Sequence, residues 1–540
     1  MKTDRAVMGV LLCCGLLLGP AQAYAMPEAA RASDAAVTAN QTPEVSDFYS
    51  ATGAERVWFD AQGEPRLVPQ QELEAWVLLS YEHGLRPQDY GAQSFLDGLD
   101  SRLSLSEREQ WFTEQFLALA RDLAGSDRVA QADSQWHFEV PVLDTTALSA
   151  RLRRGESVAE ILQSLLPQSP EYWRLVELYR QELKLPPDSI PPPILPQRLL
   201  RPGDQHDAIP ILVHWLIQQS RLDADQVDRT SRRYSEPVVE AVRHIQRQNG
   251  LQADGIIGPD TRQAILQGRE QRLRQIRANL FRWRALPRQL GSRYLLVRTA
   301  AFNLDLIKDG ELERRHAVIA GRPSRPTPSF AASVRRLTFN PYWTVPFRIA
   351  VEDLLPKQQE DSAYLSSHQI DVLERSDEAR WEARAIDSID WSALSRGNFN
   401  LLLRQRPGPL NSLGRVRMDM PNPYSIFLHD TPQKRLFDEM PRAYSSGCVR
   451  VQDIDVLVST LMDQAQVEKA LAQSDTRPIA LQAPVPVYLV YLTAWVDEQG
   501  VAYLHPDLYG RDRKLDSVLG PIGMPPPEYG VELARKVIKK

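Results

Sequence analysis

Cysteine is nearly absent: the 540-residue chain has three, Cys13, Cys14 and Cys448. The first two lie in an N-terminal apolar run and leave with it if that run is a leader. A chain left with one thiol cannot close an internal disulfide, so no disulfide framework is expected. Basic excess is also missing. A net charge of −5 with acids and bases interspersed lacks the basic patch or stripe of a nucleic-acid binder. Beyond the N-terminus, no stretch is long and apolar enough to span a bilayer, which takes about 20 residues. The nine histidines are scattered without ligand spacing, so neither a metal nor another cofactor is expected.

What is present begins with a targeting pattern. Lys2 and Arg5 precede the apolar run Ala6–Leu18, and small residues follow at Ala21, Ala23 and Ala25. Charge, a short apolar core and an A-x-A-like end predict a secretory signal peptide over 1–25, cleaved after Ala23 or Ala25. An uncleaved anchor is the alternative. Export makes the mature chain periplasmic and not an integral membrane protein. An odd thiol in an oxidising compartment then flags a reactive cysteine, against the plainer reading of an inert buried one.

The length suggests about three or four domains, at roughly 150 residues each. Residues 46–185 read as a helical scaffold. "SEREQWFTEQFLALARDLAG" (106–125) has a capping-type Ser, early acids and a Gly stop. His83 and His137 are lone histidines there, expected to be structural or exposed. Seven prolines between 186 and 202 make 186–204 an extended linker, because proline fixes φ and removes donors. The chain then turns helical (205–268). From 293 to 505 it is β-rich, with short turns such as Asp309-Gly310 suggesting hairpins. A segment of sixty-odd residues, 347–410, interrupts this domain and is too long for an ordinary loop. A substrate-covering lid is the functional expectation and a decorative subdomain the plain one. Residues 506–540 are assigned as a C-terminal tail. The fold class expected is multidomain α+β.

Cys448 sits in "SSGCVRV" and His429 ends "YSIFLH". A thiol becomes nucleophilic when an imidazole takes its proton, provided a third group orients the ring. Gly447 allows a tight turn that can aim backbone N–H groups at an oxyanion. Arg450, two residues on, suits a substrate carboxylate; an ordinary salt bridge is its plain reading.

Two resemblances follow. Ala241, Val242, Ile245, Gln246, Gly250, Leu251, Asp254, Gly255, Ile257, Gly258, Pro259 and Thr261 resemble the peptidoglycan-binding type 1 module, a small three-helix domain. "IFLHDTP" with "SSGCVRV" resembles the L,D-transpeptidase family with a YkuD-type catalytic domain. "NPYWTVP" (340–346), "PGPLNSLGRV" (407–416) and Gly321 with Thr327-Pro328 support it. The layout is similar to the large YcbB-type members. Many relatives carry a second histidine where this chain has Ser446, so His429 is left as the base.

The resemblance implies a cysteine acyl-enzyme. Cys448 attacks a tetrapeptide stem, D-Ala leaves, and another stem's diamino acid closes a 3–3 crosslink. His429 is then general base and acid, oriented by the Asp430 backbone carbonyl, with N–H groups at Gly447 and Cys448 as oxyanion donors. Arg450, Tyr424, Ser445, Ser446, Trp343 and Asn411 are the expected substrate contacts. The partners implied are peptidoglycan stem peptides and, further, other wall-synthesis proteins. A carbapenem should acylate a live Cys448. The same residues would serve an L,D-carboxypeptidase or a protein-to-wall attachment enzyme. A non-catalytic wall-binding scaffold is the reading from another class.

Overall fold

The strand "RYLLVR" is apolar on both faces, and the structure gives each face its own core. The computed structural model describes residues 43–52, 55–185, 192–219, 221–376 and 380–538. The expected signal peptide lies outside them. Among the described residues the strands are β1 (Arg293–Arg298), β2 (Asn303–Lys308), β3 (Glu311–Gly321), β4 (Phe330–Phe339), β5 (Trp343–Thr344), β6 (Ile370–Arg375), β7 (Trp381–Arg384), β8 (Leu402–Gln405), β9 (Val416–Asp419), β10 (Leu428–His429), β11 (Ala443–Ser445), β12 (Val449–Val451), β13 (Arg477–Val490), β14 (Ala494–Val496) and β15 (Ala502–Leu504).

The main sheet runs β11-β3-β12-β10-β9-β4-β13-β1-β2, and β2 also pairs with β3. That last pairing closes eight strands into a ring, with β11 added beside β3. Closure removes exposed edges. Side chains alternate across a strand. Leu295, Val297, Val487 and Leu489 therefore fill the ring, while Tyr294, Leu296, Tyr488 and Val490 pack into the helical core. Leu296 is fully buried there, so Leu296→Ala costs about 2–5 kcal/mol. Sharing these strands fixes the scaffold to the catalytic ring.

The helical region begins at Pro43. Ser104 and Glu107 form a reciprocal capping box on helix Leu105–Ala124. Helix Arg269–Arg284, charged in sequence, is largely buried: Arg277 reaches the carbonyls of Gly84, Leu519 and Gly520, and Arg284 reaches that of His83. Backbone acceptors satisfy the buried Arg277, whereas Arg284 Nε and Nη2 find no partner among the described residues and its guanidinium lies over the Phe281 ring, 4.4 Å from the centroid. The stretch assigned as a tail is corrected. It forms helices Arg511–Leu519 and Glu528–Ile538, whose Leu515, Leu519 and Ala534 join the scaffold core. Their apolar spacing needed a partner that only the folded scaffold supplies.

The small module holds helices Ala208–Gln218, Glu236–Gln248 and Pro259–Leu266 around its own core. Gln246 is its hub: Nε2 donates to Asp254, Thr261 and the Ile256 carbonyl, and Oε1 accepts the Gly255 N–H. The inserted segment forms a separate sheet, β5-β8-β6-β7, with its own apolar core. Among the described residues no helix is long and apolar enough to cross a membrane.

Candidate active site

Three neighbouring strands build the site. β10 lies between β12, parallel to it, and β9, antiparallel to it. His429 stands opposite Arg450 on one side and Arg417 on the other. Leu428 and Val449 point into the ring core. Alternation then puts Phe427, His429, Cys448 and Arg450 on the opposite face. The thiol and the imidazole thus share one face of adjacent strands.

His429 is buried, and its Nδ1 lies 2.5 Å from the Asp430 backbone oxygen. A carbonyl only accepts, so Nδ1 carries the proton and Nε2 is left as the acceptor. Burial first, then the Arg450 charge, holds the His429 pKa down to about 4. The ring is neutral near pH 7. The Asp430 carboxylate is engaged elsewhere, accepting the Arg415 N–H at 2.9 Å and pairing with Lys434. It fills the space beside Gly414, where a Cβ would stand 2.4 Å from it.

Cys448 is partly exposed. Its S–H donates to the Ser425 carbonyl at 3.7 Å, and the Phe427 backbone N–H bonds the sulfur. Burial pushes the thiol pKa up, against the smaller opposing pull of that bond and of Arg450 and Arg417. The resting pair is therefore thiol and neutral imidazole. Gly447 has φ +119°, a region that favours glycine. The Ser445 hydroxyl clamps the turn, donating to the Cys448 carbonyl at 2.5 Å and accepting the Gly447 N–H at 3.1 Å.

Residues 292–468 match the model of the L,D-transpeptidase catalytic domain. Over this stretch the chain is similar to an L,D-transpeptidase catalytic domain. Residues 43–178 match a scaffold domain and 205–265 a domain described as peptidoglycan-binding. A curated Haemophilus influenzae protein, provisionally named an L,D-transpeptidase, is 34% identical over 229 residues, 41% of this chain and 45% of that one. The chain thus spans under half of that relative. Among solved structures, an L,D-transpeptidase from Xylanimonas cellulosilytica is 15% identical, covering 55% of this chain and 100% of that one, TM-score 0.18. One from Stackebrandtia nassauensis is 12% identical, covering 56% and 97%, TM-score 0.21. Both structural overlaps are weak.

Within the transpeptidase domain, the expected contacts divide. Arg450 lies on the thiol's own strand, β12, and donates to Gln433 Oε1 at 2.8 Å. Trp343 belongs to β5 of the inserted sheet and packs on that segment's core. Ser446 faces the same segment, accepting from Arg325 at 2.9 Å. Three expectations are corrected. Asn411 is 1% exposed and holds its own turn through the Pro341 and Arg406 carbonyls, so it cannot touch substrate. Ser445 is 4% exposed and clamps the nucleophile turn instead. The Gly447 N–H already donates to Ser445, whereas the Cys448 N–H has no partner among the described residues.

Tyr424 does not stand alone. Its ring lies between Phe330, 4.9 Å away, and His137 of the scaffold, 4.4 Å away. His137, expected to be structural or exposed, is structural: half-buried, it stacks on Tyr424. Its N–H donates to the Ser329 carbonyl while Ser329 N–H donates to Gln135, each at 2.8 Å. Sequence reading also missed Arg325 and Thr327. Arg325 is 7% exposed and joins Ser446 to Glu352 and Asp353 of the insertion. Thr327 donates to the Gly447 carbonyl at 2.8 Å and accepts the Gly321 N–H at 2.9 Å. The Gly321 and Thr327-Pro328 match was the available signal. Only the fold shows that it braces the nucleophile.

Proposed function

We propose that the chain is a peptidoglycan L,D-transpeptidase that works through a Cys448 thioester and forms 3–3 crosslinks. One observation carries the reading: the thiol shares a strand face with an imidazole whose Nδ1 is fixed on the Asp430 carbonyl, leaving Nε2 to accept a proton. The sulfur attacks the carbonyl between the diamino acid and D-Ala of a tetrapeptide stem, while its proton passes to His429 Nε2. The tetrahedral oxyanion takes the Cys448 N–H. His429 returns the proton to the departing D-Ala amine, leaving a thioester. The side-chain amine of a second stem attacks that thioester. Its proton goes through His429 to the leaving sulfur, and the thiol is restored. Arg450 grips a substrate carboxylate.

The inserted segment acts as the lid over the acyl-donor stem, attached through Arg325 to the nucleophile's own turn. The three-helix module holds the wall polymer nearby. The N-terminal pattern supports export to the periplasm, and other wall-synthesis proteins are its candidate partners. The test uses the mature chain and Cys448→Ala with purified disaccharide-tetrapeptide, products read by mass spectrometry. Dimers lacking one D-Ala, absent with the variant, support the reading. Tripeptide monomers without dimers would make the chain a carboxypeptidase. No product from either chain would overturn crosslinking of this substrate and direct attention to a protein acceptor.

A further inference from the structure

The match to the transpeptidase domain ends at residue 468. Two side chains from beyond it nevertheless stand behind the nucleophile's turn. The Tyr509 hydroxyl donates to the Gly321 carbonyl at 2.5 Å. Arg511, the first residue of helix Arg511–Leu519, donates to the Thr327 carbonyl at 3.1 Å and to the Ser329 hydroxyl at 3.4 Å. Arg511 and Thr327 are both buried, so neither reaches substrate.

A buried guanidinium needs a counter-charge. Asp133 of the scaffold supplies it, 3.4 Å from Arg511 Nε. The rings of Tyr491 and Tyr509 each lie 4.9 Å from the Arg511 guanidinium carbon. Asp507 pins the same group, accepting the Tyr491 hydroxyl at 2.9 Å and the Arg511 backbone N–H at 2.8 Å. Scaffold and C-terminal segment thus hold one guanidinium in place from opposite sides in sequence.

The contacts converge on Thr327. Its hydroxyl accepts the Gly321 N–H at 2.9 Å and donates to the Gly447 carbonyl at 2.8 Å. Gly321 is required for this close approach, since a Cβ there would stand 2.3 Å from the Arg325 carbonyl oxygen and 2.7 Å from the Thr327 nitrogen. The peptide joining Gly447 to Cys448 is trans. In a planar trans peptide the carbonyl and the N–H point in opposite directions. Fixing the Gly447 oxygen therefore fixes the direction of the Cys448 N–H, the donor without a partner among the described residues.

We propose that Tyr509 and Arg511 are positioning residues that act through Thr327 to aim the Cys448 N–H at the oxyanion. Their role rests on Cys448 being the nucleophile. A misplacement of about 1 Å at a reacting centre can cost about 10²-fold in rate, so a brace this close to the donor bears on the rate and not only on stability.

The test compares the full-length chain with Tyr509→Phe, Arg511→Lys and Thr327→Val in acylation by a carbapenem, followed by mass spectrometry over a range of carbapenem concentrations. Tyr509→Phe removes one oxygen. Arg511→Lys keeps the charge facing Asp133 and loses the bond to the Thr327 carbonyl. Each should lower the limiting acylation rate constant by about tenfold or more, with the half-saturating concentration unchanged. Alkylation by iodoacetamide forms no oxyanion and should keep its wild-type rate. Adding either change to Thr327→Val should bring no further loss, because both act through that residue. Should Arg511→Lys melt early, Tyr509→Phe decides. Unaltered acylation in Tyr509→Phe overturns the proposal. So do equal losses in both reactions, or losses that multiply on Thr327→Val. A wild-type chain that iodoacetamide labels at Cys448 and the carbapenem leaves untouched overturns the nucleophile reading itself.

Discussion

His137 of the scaffold stacks on Tyr424 of the catalytic domain, centroids 4.4 Å apart and planes 18° from parallel. Tyr424 precedes Ser425, which has φ +56° and whose carbonyl accepts from the Cys448 thiol. The scaffold is thereby two residues' reach from the nucleophile. Stacked aromatic pairs are worth about 0.5–1.5 kcal/mol. His137→Ala should lower kcat/KM by roughly threefold to tenfold, and His137→Phe should restore it. Steady-state kinetics with matched melting temperatures checks this, and an unchanged kcat/KM would remove the scaffold from catalysis.

His429 is neutral above about pH 4 and the Cys448 pKa lies above the ordinary thiol value. Acylation by a carbapenem, which needs a neutral His429, should therefore fall only as pH drops through about 4. Alkylation by iodoacetamide in His429→Ala needs the thiolate itself and should rise with pH to a midpoint above that of a free thiol. Mass-spectrometric rates across pH 4–10 separate the two. Carbapenem acylation in that variant should drop by about 10²–10⁴-fold, as loss of a general base does.

Ser445 satisfies a backbone donor and a backbone acceptor at once. Ser445→Ala leaves both without it, at a cost of about 1–3 kcal/mol. Thermal unfolding should show that loss, and carbapenem acylation should slow because the turn carrying Cys448 relaxes.

Arg325 joins Ser446 to Glu352 and Asp353. Arg325→Gln removes the ion pairs but not the chain connection. Amide exchange over 350–354 should accelerate by about tenfold or more, reporting local opening, while the ring strands keep their protection. Unchanged exchange would show that the Arg325 pairs do not hold the insertion, leaving the Arg322–Asp353 pair and its apolar core to do so.

Acid should destabilise the fold through histidines buried neutral. His429 and His505 have folded pKa values of about 4 and about 3, and His83 lies well below its ordinary value. The unfolded chain binds those protons near pH 6.5. It therefore gains protons first as pH falls, and stability declines from about pH 6.5 down toward pH 4. Denaturant unfolding at pH 7 and pH 5 measures the decline.

Short-range chemistry was legible in the residues. A capped helix start, the glycine before Cys448 and the histidine followed by Asp430 are local relations, although the sequence suggests Ser106 as the capping residue and the box forms two residues earlier, at Ser104. Sequence spacing suffices for them because each partner lies within a few residues. The inserted segment was legible by its length alone.

Roles that depend on long-range approach were not. Asn411 and Ser445 read as substrate contacts because they belong to the motifs, yet burial turns them into braces. His137 read as isolated because its partner is 287 positions away, from 137 to 424. The last helices read as a tail because their apolar faces have no partner nearby in the chain. Nothing in the sequence marks Arg277 and Arg284 as buried; only tertiary packing brings the Gly84, Leu519, Gly520 and His83 carbonyls to them. The sequence by itself pointed to Cys448 and His429 as candidate nucleophile and base, since those motifs are local. Tertiary structure decided which groups stay open to substrate, because burial and pairing are set by what folds against them.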